Sequence, residues 1–383
     1  MSDKLFPNFT KEDAVYMNMA LQLAERGRGS VSPNPLVGAL VVKSGQILGK
    51  GYHARYGGPH AEAIALADAK GKTDGATLYV TLEPCVHYGR TPPCVNQIEK
   101  SRIKRVVIAC KDPDKLVDGK GIEHLIRAHI QVDVGLLENK ARAMNKAYFK
   151  HRENGLPYVI LKLAATLDAK LASASGASRW ITGKQAREYG HKLRAQSDAI
   201  MVGVHTVLAD NPRLTVRLTK GRNPLKVILD SQLRTPVNAK LFDEGKTLIF
   251  TTRASLLQRN KYNPVHVSFT AVDLDGKDKL NLTQVLAELG RRQVTQLLVE
   301  GGGRLASELL RQDLVDHFVY CMSPSFLGKG IGYTETMEYD DINQRLRLKG
   351  INISWLGQDL KIEGTPYSLE EEEGIPQNKE ESA

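Results

Sequence analysis

Two successive runs of alternating strand-like and helix-like segments constrain the fold of this 383-residue chain more than any other feature of its sequence. In the first run, apolar segments near 36–42, 77–81 and 105–109 alternate with segments of helical period. A second run of the same kind begins near residue 157 and continues to about residue 363. Because such alternation is typical of layered structures with a largely parallel sheet, we expect an α/β fold.

A polar segment separates the two runs and marks the expected domain boundary. Its sequence, Glu153-Asn-Gly-Leu-Pro157, holds a glycine that can end a helix and a proline that can open a strand. We therefore place one domain at 1–150 and a second at 151–364. Residues 365–383 are acidic and have little apolar surface to bury, so we expect them to form a disordered tail.

The net charge and the hydropathy pattern limit the partners and the compartment. A net charge of +10 favours anionic partners. The basic residues form no dense block and do not interleave with aromatic residues, so we expect a phosphorylated small molecule rather than nucleic acid. No apolar run approaches the roughly 20 residues of a membrane span, and no signal-peptide pattern is present. We expect a cytoplasmic protein with no membrane partner.

Four cysteines are too few for a secreted fold held together by disulfides. Cys110 and Cys321 lie in apolar runs, and we expect both to pack as small core residues. Cys85 and Cys94 are close in sequence, which in a reducing compartment indicates metal binding or catalysis.

The sharpest motif is His60-Ala-Glu62, followed by Pro84-Cys85 and then Cys94. A histidine, a glutamate two residues later and a later cysteine pair are typical of zinc nucleobase deaminases. A catalytic zinc keeps three protein ligands and an open position for water, and His60, Cys85 and Cys94 would supply the three. Glu62 would move a proton from the activated water to the ring and to the departing ammonia. The sequence thus predicts a zinc-dependent deaminase of a nucleobase-like ring.

A structural zinc is the alternative for this motif. Structural sites usually have four protein ligands, and His87 is the candidate for the fourth. The sequence places Cys94 after two prolines at a helix start, where the exposed N–H groups stabilise a thiolate.

Eight residues rather than two separate the two cysteines, and this loop would project over the pocket with His87 and Arg90. The chain resembles the bifunctional deaminase/reductase family of bacterial riboflavin biosynthesis in three segments. These are the end of this loop, Gly89-Arg-Thr-Pro-Pro-Cys94, and the segments Pro33-Asn-Pro-Leu-Val-Gly38 and Gly51-Tyr-His53. The resemblance implies a cytidine-deaminase-like three-layer α/β/α domain. It also implies that the pyrimidine or its ribose phosphate contacts Asn34, His53, His87 and Arg90.

In the second half, Leu297-Leu-Val-Glu-Gly-Gly-Gly303 reads as a strand and a glycine-rich turn that opens a helix. Such a turn lets backbone N–H groups approach a phosphate. It lacks the Gly-x-Gly-x-x-Gly spacing and falls late in the domain, so we do not expect an N-terminal Rossmann unit.

The family resemblance extends from about Thr10 to about Gly364, and includes Ser178-Arg-Trp-Ile-Thr182 and Val299-Glu-Gly-Gly302. It implies a dihydrofolate-reductase-like α/β domain that binds NADPH. The residues implied for NADPH are Ala164, Trp180, Thr206, Asp210, Ser231, Gly302, Gly303, Arg304, Leu305, Ala306 and Ser307. Those implied for the substrate are Ser178, Arg194, Leu214, Arg217 and Glu300.

Lys162 and Glu300 are the charged residues that we place nearest the reduction. The step opens the ribose to an imine or carbonyl form and delivers hydride to C1′, so a polar group must stabilise or protonate the adjacent atom. Lys162 could instead be a charge at a strand edge, Trp180 a hydrophobic plug and Asp210 a helix cap. The chain departs from the family at Ala169, where we expect glycine after Asp168.

We therefore expect one enzyme with two successive steps. The first is hydrolytic deamination of a diaminopyrimidinone ribosylamino phosphate, and the second is NADPH-dependent reduction of its ribose. A nucleoside or RNA base deaminase with an accessory domain is one alternative, and a zinc-stabilised scaffold without activity is another. The resemblance also implies a homo-oligomer, either a dimer or a tetramer.

Overall fold

The computed structural model describes residues 9–88, 92–263, 265–334 and 336–368. The chain divides into two compact units between Leu156 and Pro157. Among the described residues, no helix combines the length and the apolar character needed to cross a membrane.

In its described residues, the first unit contains six α-helices and five strands. The helices are α1 (Lys11–Glu25), α2 (Ala61–Asp68), α3 (Cys94–Lys100), α4 (Lys120–Arg127), α5 (Glu138–Met144) and α6 (Lys146–Asn154). The strands are β1 (Gly38–Lys43), β2 (Gln46–Tyr52), β3 (Thr77–Val80), β4 (Arg105–Ile108) and β5 (Gln131–Val134).

The five strands form one sheet in the order β2-β1-β3-β4-β5. β1 pairs antiparallel with β2 and β3, whereas β3, β4 and β5 run parallel to one another. Parallel strands need a crossover, and α3 and α4 supply the crossovers here. The carboxyl ends of the parallel strands therefore open towards the loops that carry Cys85 and Asp112.

Helices cover both faces of this sheet. Ala39 and Val41 of β1 pack with residues of α2, α3 and α4, while Leu40 and Val42 pack with residues of α1 and α6. This separation follows from the alternation of side chains along a strand. The expected three-layer α/β/α arrangement is confirmed.

The hydrogen bonds at the N-terminus of α1 explain why this helix begins at Lys11. Thr10 Oγ1 accepts from the backbone N–H of Asp13 at 3.1 Å, and the Asp13 carboxylate accepts from the backbone N–H of Thr10 at 2.9 Å. These reciprocal hydrogen bonds satisfy two donors that the helix itself leaves unpaired. The helix ends at Glu25.

In its described residues, the second unit contains four α-helices and eleven strands. The helices are α7 (Lys184–Gln196), α8 (Val204–Asp210), α9 (Leu282–Arg291) and α10 (Gly303–Arg311). The first strands are β6 (Tyr158–Thr166), β7 (Lys170–Ser173), β8 (Ala199–Gly203), β9 (Leu225–Leu229), β10 (Thr247–Thr251) and β11 (Val267–Ala271). The others are β12 (Gln296–Val299), β13 (His317–Ser323), β14 (Gly330–Gly332), β15 (Arg347–Leu356) and β16 (Asp359–Tyr367).

Nine of these strands form a sheet in the order β11-β10-β9-β8-β12-β6-β13-β16-β15. The strands from β11 to β13 in this order are parallel, and β16 and β15 join antiparallel at one edge. The sequence pattern missed β7, β11 and β14. The last strand continues to Tyr367, beyond the expected end at residue 364. Residues 369–383 of the expected tail lie outside the described residues.

Three local positions bear on the sequence-based expectations. Cys110 and Cys321 are both fully buried, which confirms that they are core residues. Ala169 has a φ of 62°, in the left-handed region that favours glycine. The departure from the family at this position therefore falls on a backbone conformation for which alanine is poorly suited.

Candidate active sites

The predicted zinc ligands converge in the first unit. His60 immediately precedes α2, Cys94 begins α3, and Cys85 follows β3. His60 Nδ1 lies 3.2 Å from Cys94 Sγ and 3.5 Å from Cys85 Sγ, and the three ligand atoms all lie within 4.8 Å of one another. One imidazole nitrogen and two thiolates suit zinc, and three ligands leave a tetrahedral position open. The residues present fit the metal.

His87, the candidate for a fourth ligand, does not belong to this cluster in the part of the chain that the structure describes. Its side chain is exposed and lines the cavity beside the three ligands. This placement favours a catalytic over a structural zinc. Arg90 lies outside the described residues.

Glu62 lies in the first turn of α2 and is only 4% exposed. Burial raises the pKa of its carboxyl to about 7, and the nearby negative charge of Cys85 acts in the same direction. It lines the same cavity as His60 and Cys85 but does not belong to the ligand cluster. A buried carboxyl in this position is suited to proton transfer.

The hydrogen bonds of His53 fix its tautomer. His53 Nδ1 lies 2.9 Å from the carbonyl oxygen of Pro59, which can only accept, so Nδ1 carries the proton. Burial lowers the pKa of His53, which favours the neutral ring. His53 Nε2 then accepts from Asn34 Nδ2 at 3.0 Å. His53 therefore fixes the orientation of the Asn34 amide.

A cavity of about 300 Å³ joins these groups. Sequence reasoning missed Glu83, Asp112, Asp114, Tyr148 and Arg152, which also line it. No motif marks them, because the fold brings them to the zinc ligands from a distant helix and from loops.

Glu83 holds one wall of the cavity in place. Its carboxylate accepts from the backbone N–H groups of Gly121 at 2.8 Å, Gly119 at 3.0 Å, Asp112 at 3.2 Å and Ile122 at 3.2 Å. These bonds join the segment before Cys85 to the N-terminus of α4, where a negative charge is favourable.

Tyr148 and Arg152 extend the cavity wall from α6. The Tyr148 hydroxyl donates to Asp112 Oδ1 at 3.0 Å, and Arg152 forms an ion pair with Asp114 at 3.3 Å. Burial raises the pKa of Asp112 to about 6. The position of α6 against the sheet decides these contacts.

In the second unit, Arg194 and Glu300 form a bidentate ion pair. Arg194 Nε donates to Glu300 Oε1 at 2.9 Å, and Nη2 donates to Oε2 at 2.6 Å. Nη1 of the same guanidinium donates to the carbonyl oxygen of Thr215 at 3.1 Å. Burial alone would raise the pKa of Glu300, but Arg194, together with the charge of Lys162, lowers it to about 2.

Arg217 is exposed, unlike Arg194. Its Nη1 donates to Thr215 Oγ1 at 2.7 Å, and it has no carboxylate partner among the described residues. Because the charge of Arg194 is balanced by Glu300, Arg217 is the better placed of the two arginines to bind an anion. The sequence alone treated the two arginines alike.

Lys162 is half-buried on the central strand β6 rather than at an edge of the sheet. β6 and β12 are parallel neighbours, and Leu161 lies opposite Val299. The next residue along each strand direction is Lys162 on β6 and Glu300 after β12, so these two residues lie side by side across the sheet. Gly190 of α7 lies close to this lysine, because a Cβ there would be 3.8 Å from Lys162 Nζ. Within the described ranges, Lys162 forms no ion pair.

The remaining residues implied for the substrate are of two kinds. Leu214 is buried, with a φ of 54°, and lies in the segment that carries Arg217. Ser178 Oγ donates to Asp210 Oδ1 at 2.9 Å. Asp210 therefore holds the Ser178 segment, and the C-cap of α8 is Asn211.

The glycine-rich turn opens α10 as the sequence predicts. Gly302 is the N-cap and provides no side-chain cap, so the first N–H groups of the helix have no capping side chain. A Cβ at Gly303 would lie 2.5 Å from the carbonyl oxygen of Gly332, so that glycine is needed for packing against β14. Gly302 faces Thr206 Oγ1, 3.7 Å from a Cβ built there. An uncapped helix start beside a hydroxyl fits a cofactor phosphate.

Other residues implied for NADPH differ in their surroundings. Trp180 is 71% exposed beneath the Arg187 guanidinium, 4.5 Å from its ring centre, so it is not a buried plug. Ser307 is buried and donates to the carbonyl oxygen of Tyr333 at 2.9 Å, whereas Arg304 is exposed. The carbonyl oxygen of Ser231 accepts from Ser255 Oγ at 2.8 Å. Ala164, on β6, and Leu305 are partly buried, and Ala306 is fully buried.

Two family models match the chain. The model described as the RibD C-terminal domain matches residues 157–362. The model described as the cytidine and deoxycytidylate deaminase zinc-binding region matches residues 10–110. The second match contains His60, Glu62, Cys85 and Cys94.

Whole proteins of known name match over both units. A riboflavin biosynthesis protein RibD from Aquifex aeolicus is 42% identical over 354 residues, covering 91% of this chain and 97% of its own. The RibD protein of Escherichia coli is 42% identical, covering 83% of this chain and 89% of its own.

Solved structures agree with these matches. The structure of Acinetobacter baumannii RibD superposes with a TM-score of 0.86 at 37% identity, covering 94% of this chain and 99% of that one. A Thermotoga maritima structure superposes with a TM-score of 0.83 at 36% identity, covering 93% of this chain and 99% of that one. That protein is named a diaminohydroxyphosphoribosylaminopyrimidine deaminase/5-amino-6-(5-phosphoribosylamino)uracil reductase.

Proposed function

Because this chain belongs to the RibD family of bifunctional deaminase/reductases of riboflavin biosynthesis, we propose that it acts on the two substrates for which the Thermotoga maritima protein is named. The first step is hydrolytic deamination of 2,5-diamino-6-(5-phosphoribosylamino)pyrimidin-4(3H)-one. The second is NADPH-dependent reduction of the ribose of the product to a ribityl chain. We assign the deaminase to the unit that ends at Leu156 and the reductase to the unit that begins at Pro157.

The observation that carries the proposal is the convergence of His60, Cys85 and Cys94 beside the buried carboxyl of Glu62. Zinc, when bound by these three residues, supplies Lewis-acid activation of a water molecule. A purely structural metal would not require a carboxyl that lies beside the ligands without belonging to them.

In the deaminase, Glu62 takes a proton from the attacking water and passes it to the ring nitrogen, and then to the leaving amine, which departs as ammonia. Asn34 is held by His53 and presents its amide to the pyrimidine. His87 borders the same cavity and contacts the substrate, and we assign Arg90 the same role on the family resemblance alone.

In the reductase, NADPH, when bound, would supply a hydride to C1′ of the opened ribose. Lys162 holds or donates the proton at the atom next to C1′. The negative charge of Glu300 attracts the positive charges of Arg194 and Lys162 and so keeps both side chains oriented. Arg217 binds the substrate phosphate through its unpaired N–H donors. Ser178, which is hydrogen-bonded to Asp210, and Leu214, which lies in the segment of Arg217, border the substrate.

NADPH would be held by residues from β6, α8, α10 and the loops between elements of the second unit. The uncapped N–H groups after Gly302 bind a cofactor phosphate, with Thr206 beside them. Trp180, which is exposed, would also help to hold the cofactor. The other assigned residues are Ala164, Asp210, Ser231, Gly303, Arg304, Leu305, Ala306 and Ser307.

The alternative of a base deaminase with an accessory domain has no observation in its favour, because the relatives match both units.

We assign the enzyme to the cytoplasm, where reduced cysteines can serve as metal ligands. We also propose that the enzyme forms a homo-oligomer. β15 is an edge strand, and Ile353 and Trp355 on it are 59% and 68% exposed. A second copy pairing there would cover these side chains and the open strand edge.

The experiment that tests the proposed function is ammonia release from the diaminopyrimidinone substrate, with and without NADPH. We expect release without NADPH, loss of release in Glu62→Ala, and NADPH oxidation only after deamination. No ammonia from the zinc-loaded wild-type enzyme would refute the proposed substrate, and a nucleoside or RNA base would be tested next.

A further inference from the structure

His191 is a buried side chain that neither the motifs nor the assigned reaction uses. It lies on α7, three residues before Arg194, and is 6% exposed. Residues three apart share a face of a helix, so His191 and Arg194 point towards the same region. The imidazole is therefore placed beside the charged groups of the reductase site.

One hydrogen bond fixes the protonation of the ring. The backbone N–H of Arg217 donates to His191 Nδ1 at 2.9 Å. A backbone N–H can only donate, so Nδ1 must carry the lone pair and the neutral ring must carry its hydrogen on Nε2. His191 therefore supports the main chain of Arg217 on one side and presents an N–H donor on the other.

The Nε2 donor has no partner in the described part of the protein. Among the described residues, Nε2 is not one of the fully buried polar atoms that lack a partner. It is therefore accessible to a ligand. A buried donor without a partner would be costly, whereas a donor at an open site can receive a ligand.

The charged groups around His191 come from four different segments. Lys162 lies on β6, Arg194 on α7, Arg217 in the segment after α8, and Glu300 directly after β12. Burial and the three cations lower the pKa of His191 to about 4, while Glu300 opposes them. Because Glu300 balances Arg194, the positive charges of Lys162 and Arg217 remain without a carboxylate partner among the described residues.

We propose that His191 is a substrate-binding residue of the reductase, whose Nε2–H donates to the phosphate of the substrate while Nδ1 positions Arg217. This inference rests on the proposed function. A phosphate dianion matches the two unbalanced cations, and its negative charge strengthens a hydrogen bond that it accepts from a neutral imidazole N–H. The sequence signal is the spacing His191-Lys-Leu-Arg194, which places both donors on one helix face.

Two substitutions separate the two sides of the ring. Asparagine keeps an acceptor near the position of Nδ1 and removes the distal donor, whereas glutamine keeps a donor near Nε2 and removes the proximal acceptor. We expect His191→Asn to weaken binding of the deaminated, phosphorylated substrate by roughly tenfold to a hundredfold, the value of a hydrogen bond to a charged group. His191→Gln keeps the distal donor but loses the acceptor that positions Arg217, so we expect it to weaken the same binding less than His191→Asn does.

The measurement is equilibrium binding of the substrate by calorimetry, together with KM and kcat for NADPH oxidation. We expect the effect of His191→Asn on KM rather than on kcat, and we expect it to vanish for the same compound without its phosphate. Lys192→Asn, at an exposed neighbouring position on α7, is the matched control and should leave binding unchanged. Equal NADPH binding by all variants shows that the unit is folded.

Wild-type binding by His191→Asn together with weak binding by His191→Gln would overturn the proposal, because the ring would then only support Arg217. If neither variant binds NADPH, a wild-type structure with the phosphorylated substrate tests whether Nε2 donates to the phosphate. A phosphate oxygen about 3 Å from Nε2 supports the donor role, and one beyond about 4.5 Å overturns it. A wild-type enzyme that binds NADPH but neither binds nor reduces the substrate would instead refute the proposed function.

Discussion

The carboxylate of Glu300 and the guanidinium of Arg194 face each other in two parallel hydrogen bonds of 2.6 and 2.9 Å. Both side chains are 15% exposed, so water screens the pair only weakly. The pair links the end of β12 to α7, and it neutralises one of the three cations nearest His191. It is therefore both a structural contact and a determinant of the charge left for the substrate.

The first prediction concerns acid stability. Because the pKa of Glu300 is lowered from 4.5 to about 2, its contribution to folding is fully present above pH 4.5 and is lost as the pH falls towards 2. The contribution is at most about 3 kcal/mol. We expect the free energy of unfolding of the wild type to fall more steeply over this pH range than that of Glu300→Gln, measured by urea denaturation. Parallel curves for the two proteins would contradict the prediction.

The second prediction concerns removal of the metal. The three ligands lie in the first unit, and the residues assigned to NADPH lie in the second. We expect chelation to abolish ammonia release while NADPH binding and reduction of the deaminated substrate persist, and added zinc to restore deamination. Loss of the fold of the first unit on chelation, seen by circular dichroism, would identify a structural metal instead.

The third prediction concerns Glu83. A glutamine there would keep one acceptor and direct an NH₂ group at backbone N–H donors that now bind the carboxylate. We expect Glu83→Gln to lower the free energy of unfolding by about 3 kcal/mol and to weaken deamination more than reduction. Glu12→Gln, on the exposed side of α1, is the control and should change neither quantity. A Glu83→Gln enzyme with normal stability would show that these hydrogen bonds are dispensable.

The fourth prediction concerns Ala169. Glycine adopts a φ of 62° without the steric penalty that alanine suffers there. We expect Ala169→Gly to raise the free energy of unfolding by about 1 kcal/mol. Ala177→Gly is the matched control, because Ala177 is exposed and does not have a positive φ, and it should be neutral or destabilising. A loss of stability in Ala169→Gly would mean that the alanine methyl makes favourable contacts.

Much of the fold was predictable because the helices and strands carry local signals. The apolar runs of β1, β3 and β4 depend on neighbouring residues alone, and these strands appear where the sequence places them. β7, β11 and β14 were not predicted. β7 and β14 are short and pair only with each other, so their pairing rather than their composition defines them.

The sequence by itself predicted His60, Cys85 and Cys94 as zinc ligands with Glu62 beside them, because each lies at or next to the end of a helix or strand that its own neighbours specify. Tertiary structure decided the rest of the sites. Asp112 and Tyr148 meet across 36 positions, and the partners of Arg194 and His191 come from distant segments. Which arginine has a carboxylate partner and which imidazole nitrogen carries the proton depend on through-space contacts, and local sequence does not encode them.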